Sequence, residues 1–322
     1  MKFIYLIIIL IAQISWATPV CEVKTSLVVP MPPARTQEDR PYCYGFAATA
    51  LVQFHYCKYK IPACTFTGPA NDQLSVLDAL SIANYGGGGL VAGGDTKQVL
   101  SRIGNKSELA SETCAPFSPF LEKNWVLENK QKVSFSKAVL RANEKSLKPC
   151  TMDERRNIAA DLKTERKLTA EIDQIMNALS KKDFSMVLAE ISIPKKCQDH
   201  RIKLPAFKTN DLSGTNFQDV RSKIQDRLSQ GSPLATHICY FPVDKKKFAD
   251  DGCGLHALTI SGIRQKCCDG KCSFEYQFYD SAQAFSEKQH TSDNWVPEAI
   301  YAERLERKWS TTSDRSNLIW IE

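Results

Sequence analysis

The chain is predicted to be an α+β protein with two unlike lobes, a helical front half and a β-rich back half, separated by a charged helical segment. Three observations predict this. Phe46, Ala47, Ala50, Leu51 and Phe54 form an apolar stripe at helical spacing near the front. Residues from about 121 to 212 are rich in Lys, Glu and Arg and poor in aromatics. Beyond Phe217, short apolar stretches of strand length alternate with turn residues. A length of 322 residues suits one large domain or two lobes, and 43% apolar content supports a true core.

The elements follow in order. Thr18 to Pro33 is Pro- and Val-rich and reads as extended. The first helix runs from Cys43 to about Cys57, a second from Leu74 to Ala83, and a third from Thr96 to Ile103, with a glycine-rich loop over Tyr85–Gly94 between the last two. Ala115-Pro116 and Ser118-Pro119 interrupt regular structure. Met152 to Ser180 carries Ile158, Leu162, Leu168, Ile172, Ile175, Met176 and Leu179 near helical spacing, a helix with one buried stripe and one solvated face. Val220 to Leu228 is a helix stopped by Gly231 and Pro233. Strands are expected at Leu234–Phe241, Ala257–Ile263, Phe274–Tyr279 and Leu318–Ile321. The expected organisation is a leader over 1–17, a helical lobe over 18–120, an insertion over 121–212 and a β-rich lobe over 213–322.

Met1–Ala17 has the pattern of a secretory signal: Lys2, an apolar core from Phe3 to Ile14, and Ser15-Trp16-Ala17 as a small-residue cleavage site. Cleavage after about Ala17 would deliver a secreted or periplasmic protein. A lipidated Cys21 is the weaker reading, because Pro19-Val20 lacks the small residue expected before it. No later stretch is apolar enough to span a bilayer. The net charge of +6 is modest, and Lys and Arg are scattered, which argues against nucleic acid as a partner. Twelve cysteines in an exported chain point to disulfides, although connectivity cannot be read from sequence. If Cys43 is a free thiol, eleven remain, an odd number. No cofactor is implied, and a monomer is expected.

Chemistry concentrates at four positions. Cys43 opens the first helix, where backbone N–H groups and the positive helix end favour a thiolate. Gln37, six residues earlier, delivers an amide suited to hold an oxyanion. His256 begins an apolar strand in Gly-Cys-Gly-Leu-His-Ala, where it can act as the base for a thiol. Asp280 ends the next strand, where a carboxylate would fix the imidazole tautomer and stabilise its cation. Each residue has a plainer reading: Cys43 bridged, His256 structural, Asp280 a cap. A second reading of Cys253, His256, Cys267, Cys268 and Cys272 is zinc ligation, but export and the absence of paired Cys-x-x-Cys knuckles favour disulfides and no metal. His55 is expected to be structural, and His200, His237 and His290 carry no partner signal. Asn105-Lys106-Ser107 is a glycosylation sequon that matters only in a glycosylating host.

In this order and setting the residues resemble the papain-like cysteine peptidases. Gln37 matches the family's oxyanion glutamine at its six-residue spacing, Cys43 the nucleophile, and His256-Ala257 the catalytic His-Ala pair. Asp280-Ser281 stands where the family has Asn-Ser. Leu74-Ser75, Gly93-Gly94, Ala115-Pro116-Phe117, Gly231-Ser232-Pro233 and Ser261-Gly262 are similar to further family segments. The likeness covers about 37–118 and 217–285. It implies a papain-like two-lobe fold, with a helical left lobe and a β-rich right lobe, and hydrolysis of peptide or protein substrates through a Cys43 acyl-enzyme. Gly93 and Gly94 would then offer backbone hydrogen bonds to an extended substrate. The chain departs from the family at Arg40-Pro41-Tyr42, at Tyr44 in place of Trp, at Asp280 in place of Asn, and at Ala282, where a shielding Trp is usual. About 20 residues between Ala17 and Gln37 leave no room for an inhibitory propeptide. The long Cys43–His256 separation accommodates the 121–212 insertion, a candidate lid. These departures motivate an alternative: a catalytically impaired papain-fold protein that binds peptides or a partner.

Overall fold

The computed structural model describes residues 21–32, 35–37, 42–59, 73–83, 94–117, 151–165, 170–179, 190–240, 254–282, 294–311 and 316–322. The leader, Gly93, Cys64, Cys150, Cys253, His290 and residues 121–150 lie outside them. The architecture is mixed helix and sheet. A strand β1 (Cys21–Val28) leads to helices α1 (Cys43–Tyr59), α2 (Val76–Ile82) and α3 (Thr96–Lys106). The middle of the chain supplies α4 (Met152–Glu165), α5 (Ile172–Leu179) and the short α6 (Lys195–Asp199). The back half contains strand β4 (Thr209–Ser213), helix α7 (Phe217–Ser229), β5 (Leu234–Tyr240), β6 (Gly254–Cys268), β7 (Lys271–Tyr279), β8 (Val296–Pro297), α8 (Glu298–Thr311) and β9 (Ser316–Ile321). Two-residue strands β2 (Glu108–Leu109) and β3 (Ile202–Lys203) pair with each other.

The main sheet is seven-stranded, in the order β4-β9-β5-β6-β7-β8, with β1 added on β6. β6 is its axis. Its first half pairs with β5, from Tyr240↔Gly254 to Leu234↔Ile260, and its second half takes β1 along the same edge, from Val28↔Gly262 to Cys21↔Cys268. β7 covers the opposite edge, returning through a turn at Asp269-Gly270, both at positive φ. Two disulfides lie at this end, Cys21–Cys268 and, across the hairpin, Cys267–Cys272. The sulfurs considered for zinc at 267, 268 and 272 are therefore consumed in disulfides.

Three cores organise the packing. One joins α1, α2 and α3 and reaches the sheet through Ala235, Ala257 and Ile319. A second lies between the sheet and helices α7 and α8, around Ile224, Ile260, Tyr276, Tyr301 and Leu318. The third is a small cluster within the middle segment, from Ala159 and Leu162 to Ile175, Leu179 and Ile191. The stripe predicted for the first helix understates its burial: every residue from Cys43 to Cys57 is buried. The helix is wedged between the other helices and the sheet, so even Thr49 and Gln53 face protein. Thr49 satisfies its hydroxyl on the Gly45 carbonyl (2.7 Å), and Gln53 accepts from the Leu74 N–H (2.6 Å).

The stretch Met152–Ser180, expected to be helical with one buried stripe, forms two helices. Leu162 and Ile175 both enter the third core, which a straight helix could not fold back to form. Helix α8 and strand β4 were not anticipated. The C-terminal part of the middle segment is fastened to the helical core by the Cys114–Cys197 disulfide and by Arg201. Its guanidinium donates to both Asp78 oxygens at 2.7 and 2.8 Å, with Asp78 fully buried. No helix among the described residues is long and apolar enough to cross a membrane.

Candidate active site

Cys43 is the first residue of α1, and the Gly45 and Phe46 N–H groups close the opening turn onto the Tyr42 carbonyl. It is buried and, among the described residues, the free cysteine. Helix α1 packs against β6, which carries His256 as its third residue, and the two side chains are hydrogen-bonded. Burial alone would raise the Cys43 pKa. The hydrogen bond and charge of His256, with backbone N–H groups of Ala257 and Tyr44, outweigh it and hold the thiol below its ordinary range.

Asp280 is placed by strand register. Tyr279 is the last residue of β7 and pairs with Thr259, so the next residue turns off the sheet beside His256. His256 Nε2 lies 2.8 Å from Asp280 Oδ1, which also accepts the Ala282 N–H at 2.9 Å. Engagement of Nε2 leaves Nδ1 for the sulfur. Burial disfavours the imidazolium, but the Asp280 carboxylate and the Cys43 thiolate together push the His256 pKa up to about 9. Thiol and imidazole are thus tuned in opposite directions, toward a thiolate–imidazolium pair.

Gln37 arrives from a distant part of the sequence and is buried. Strand β1 pairs with β6, the Val29 N–H donates to Ser261 O, and the chain continues to Gln37, whose own N–H donates to Ser281 O at 2.9 Å. Ser281 Oγ also donates to Gln37 Oε1 at 2.5 Å. Asp280 and Ser281, adjacent in sequence, therefore hold His256 and Gln37 respectively.

A cavity of about 300 Å³ opens over the sulfur, lined by Cys43, Tyr44, Gly94, Asp95, His237, Leu255, His256 and Ala257. Gly94 is required by close approach: a Cβ there would meet Tyr44 Cε2 at 2.6 Å. Tyr44 is buried, and burial together with the nearby Cys43 charge raises its pKa. The structure brings Cys43, His256, Asp280, Gln37 and Gly94 to one place, while Gly93 is outside the described residues.

Sequence reasoning missed His237, which lines the same cavity and lies 2.9 Å from Thr96 Oγ1 through Nε2. The strand containing it was legible. Its pairing opposite Ala257, next to His256, was not. Ser281 was seen only as a neighbour of Asp280. His55 is structural as expected, with Nε2 facing Ala206 O at 3.2 Å and burial lowering its pKa.

No protein-family model matches the chain, and no curated protein sequence does. Solved structures do. The bromelain protease from Ananas comosus, in complex with the E64 inhibitor, is 13% identical with a TM-score of 0.43, the match covering 93% of this chain and 99% of that one. Xylellain, a cysteine protease from Xylella fastidiosa, is 13% identical at a TM-score of 0.44, covering 94% and 87%. SERA5E from Plasmodium falciparum is 11% identical at 0.43, covering 90% of each. At these scores the likeness says nothing about chemistry, which rests on the side chains themselves.

Proposed function

We propose that this chain is an exported papain-like cysteine peptidase, with 18–120 and 213–322 as its lobes and 121–212 inserted between them. The observation that carries the reading is the hydrogen-bonded series Cys43–His256–Asp280, with the thiol pKa lowered and the imidazole pKa raised. In this mechanism the Cys43 thiolate adds to a peptide carbonyl carbon, and the carbonyl π electrons move onto oxygen. The Gln37 amide and the Cys43 backbone N–H hold that oxyanion. Collapse expels the amine, which takes its proton from His256. The neutral imidazole then removes a proton from water, which attacks the thioester. Collapse of the second tetrahedral intermediate expels the Cys43 thiolate and releases the acid, leaving the thiolate beside the imidazolium that took its proton from water. Gly94 supports an extended substrate, with Gly93 assigned the same role. Export fits the leader-like start, and the disulfides accord with an oxidising compartment.

Cys43→Ala is expected to abolish both hydrolysis of a mixed peptide library and labelling by an epoxide thiol trap, while the circular dichroism spectrum stays native. One observation favours a second reading, a binding protein on the same scaffold. The Asp280 carboxylate, acting with the Cys43 thiolate against burial, holds the proton on His256 up to about pH 9, which weakens the ring as an acid toward the leaving amine. A folded wild-type chain whose Cys43 reacts with the epoxide no faster than free cysteine would select that reading and end the peptidase one.

A further inference from the structure

The cavity beside Cys43 is lined by more apolar than polar surface, with polar groups set into it at definite places. Its inner side carries His237, buried and bonded to Thr96 Oγ1 at 2.9 Å. Asp95 lines it next to Thr96 and caps helix α3, accepting the Lys97 N–H on Oδ1 at 2.8 Å. Lys97, the nearest cation in sequence, does not neutralise that carboxylate: its Nζ is taken by Asp211 at 2.6 Å. Among the described residues, no Lys or Arg lines the cavity. The charged groups on the cavity wall are therefore one cation, His256, against two anions, the Cys43 thiolate and Asp95, with Asp280 a third anion behind His256. Leu255, Ala257 and the Tyr44 ring add apolar surface along the way in.

We propose that this cavity selects a basic side chain of the bound peptide, with Asp95 as the selecting charge and the His237–Thr96 pair as its polar wall. An arginine or lysine lays its methylene stem along Leu255 and Ala257 and brings its cationic head to Asp95. A leucine in the same place strips water from Asp95 and returns no partner, and a glutamate adds a fourth negative charge. The inference rests on the peptidase reading only in taking the cavity as a peptide cleft.

The test is protection of Cys43 from iodoacetamide in the full chain by capped alanine pentapeptides carrying one Arg, Leu or Glu, moved through each position in turn. The best Arg peptide is expected to halve the alkylation rate at about a fivefold lower concentration than the best Leu peptide, the upper end of what one charge pair at a partly exposed site contributes. In Asp95→Asn, and again in Asp95→Ser, both of which keep a capping side chain on α3, that ratio falls to near one. Because it is a ratio, a general effect on the thiol cancels. Equal or better protection by Leu or Glu, no protection by any peptide, or a ratio that survives both substitutions overturns the proposal. Alkylation needs no turnover. A chain that prefers Arg peptides but hydrolyses none refutes the peptidase reading and keeps this one; cleavage with a Leu preference does the reverse.

Discussion

Replacing Asp280 by asparagine isolates charge from geometry. The Asn Oδ1 can still accept from His256 Nε2 and from the Ala282 N–H, the two contacts Asp280 Oδ1 makes now. What disappears is the negative charge, only 13% exposed, beside a ring that is 4% exposed. The His256 pKa rises from 6.5 to about 9, so the fold favours the charged ring by about 3 kcal/mol at 1.36 kcal/mol per tenfold change. Asp280 and Cys43 supply that preference against burial. Removing the carboxylate takes away part of that preference, so the His256 midpoint falls below about 9. The sign follows from the direction of the shift. A pKa raised above its unfolded value means stabilisation complete below about pH 6.5 and lost as pH rises through about 9. In the variant the loss moves to lower pH. The assay is a ring-proton NMR titration with His256 assigned through His256→Gln, together with thermal melts between pH 6 and 10. A midpoint that stays at about 9 in Asp280→Asn would show that the carboxylate does not hold the proton, and the electrostatic account of the site would fail.

Gly94→Ala places a methyl 2.6 Å from the packed Tyr44 ring, which must shift into the cavity it lines. Overpacking of this kind costs about 1–3 kcal/mol, so the melting temperature is expected to drop by a few degrees; an unchanged Tm would mean the ring moves freely. Ser281→Ala removes the 2.5 Å donor to Gln37 Oε1. It is expected to cost about 1 kcal/mol of stability and, in peptide hydrolysis, to lower kcat several-fold with KM unchanged, because an oxyanion donor acts only in the transition state. A rise in KM at constant kcat would instead place Gln37 in ground-state binding.

How much was legible depended on whether the signal was local. The helix that Cys43 opens could be read because its apolar stripe repeats every turn, and Cys43 was placed at its start. The strands around His256 and Asp280 could be read from length and residue type, although β6 runs well past the expected ends, to Gly254–Cys268. Those extra residues are held by pairing with β1 and β7 and by two disulfides, all of them long-range or cross-strand constraints. Helix α8 escaped detection because Glu303, Arg304, Glu306, Arg307 and Lys308 break up its apolar pattern. Two of those, Arg304 and Lys308, are nonetheless buried against the sheet, an arrangement that propensity does not anticipate.

From the order of residues alone came the class of fold and the prospect of disulfides, because helical period, strand length and turn chemistry act over a few neighbours; the four candidate positions came from residue type and order. Contacts between distant residues were settled only by the assembled chain: Ser281 on Gln37 across 244 positions, Asp280 on His256 through the register of β7, and His237 on Thr96 at the wall of the cavity. Strand register and helix-to-sheet packing are collective outcomes. A shift of one residue in either would send these same side chains to another face and leave Cys43 an ordinary buried thiol.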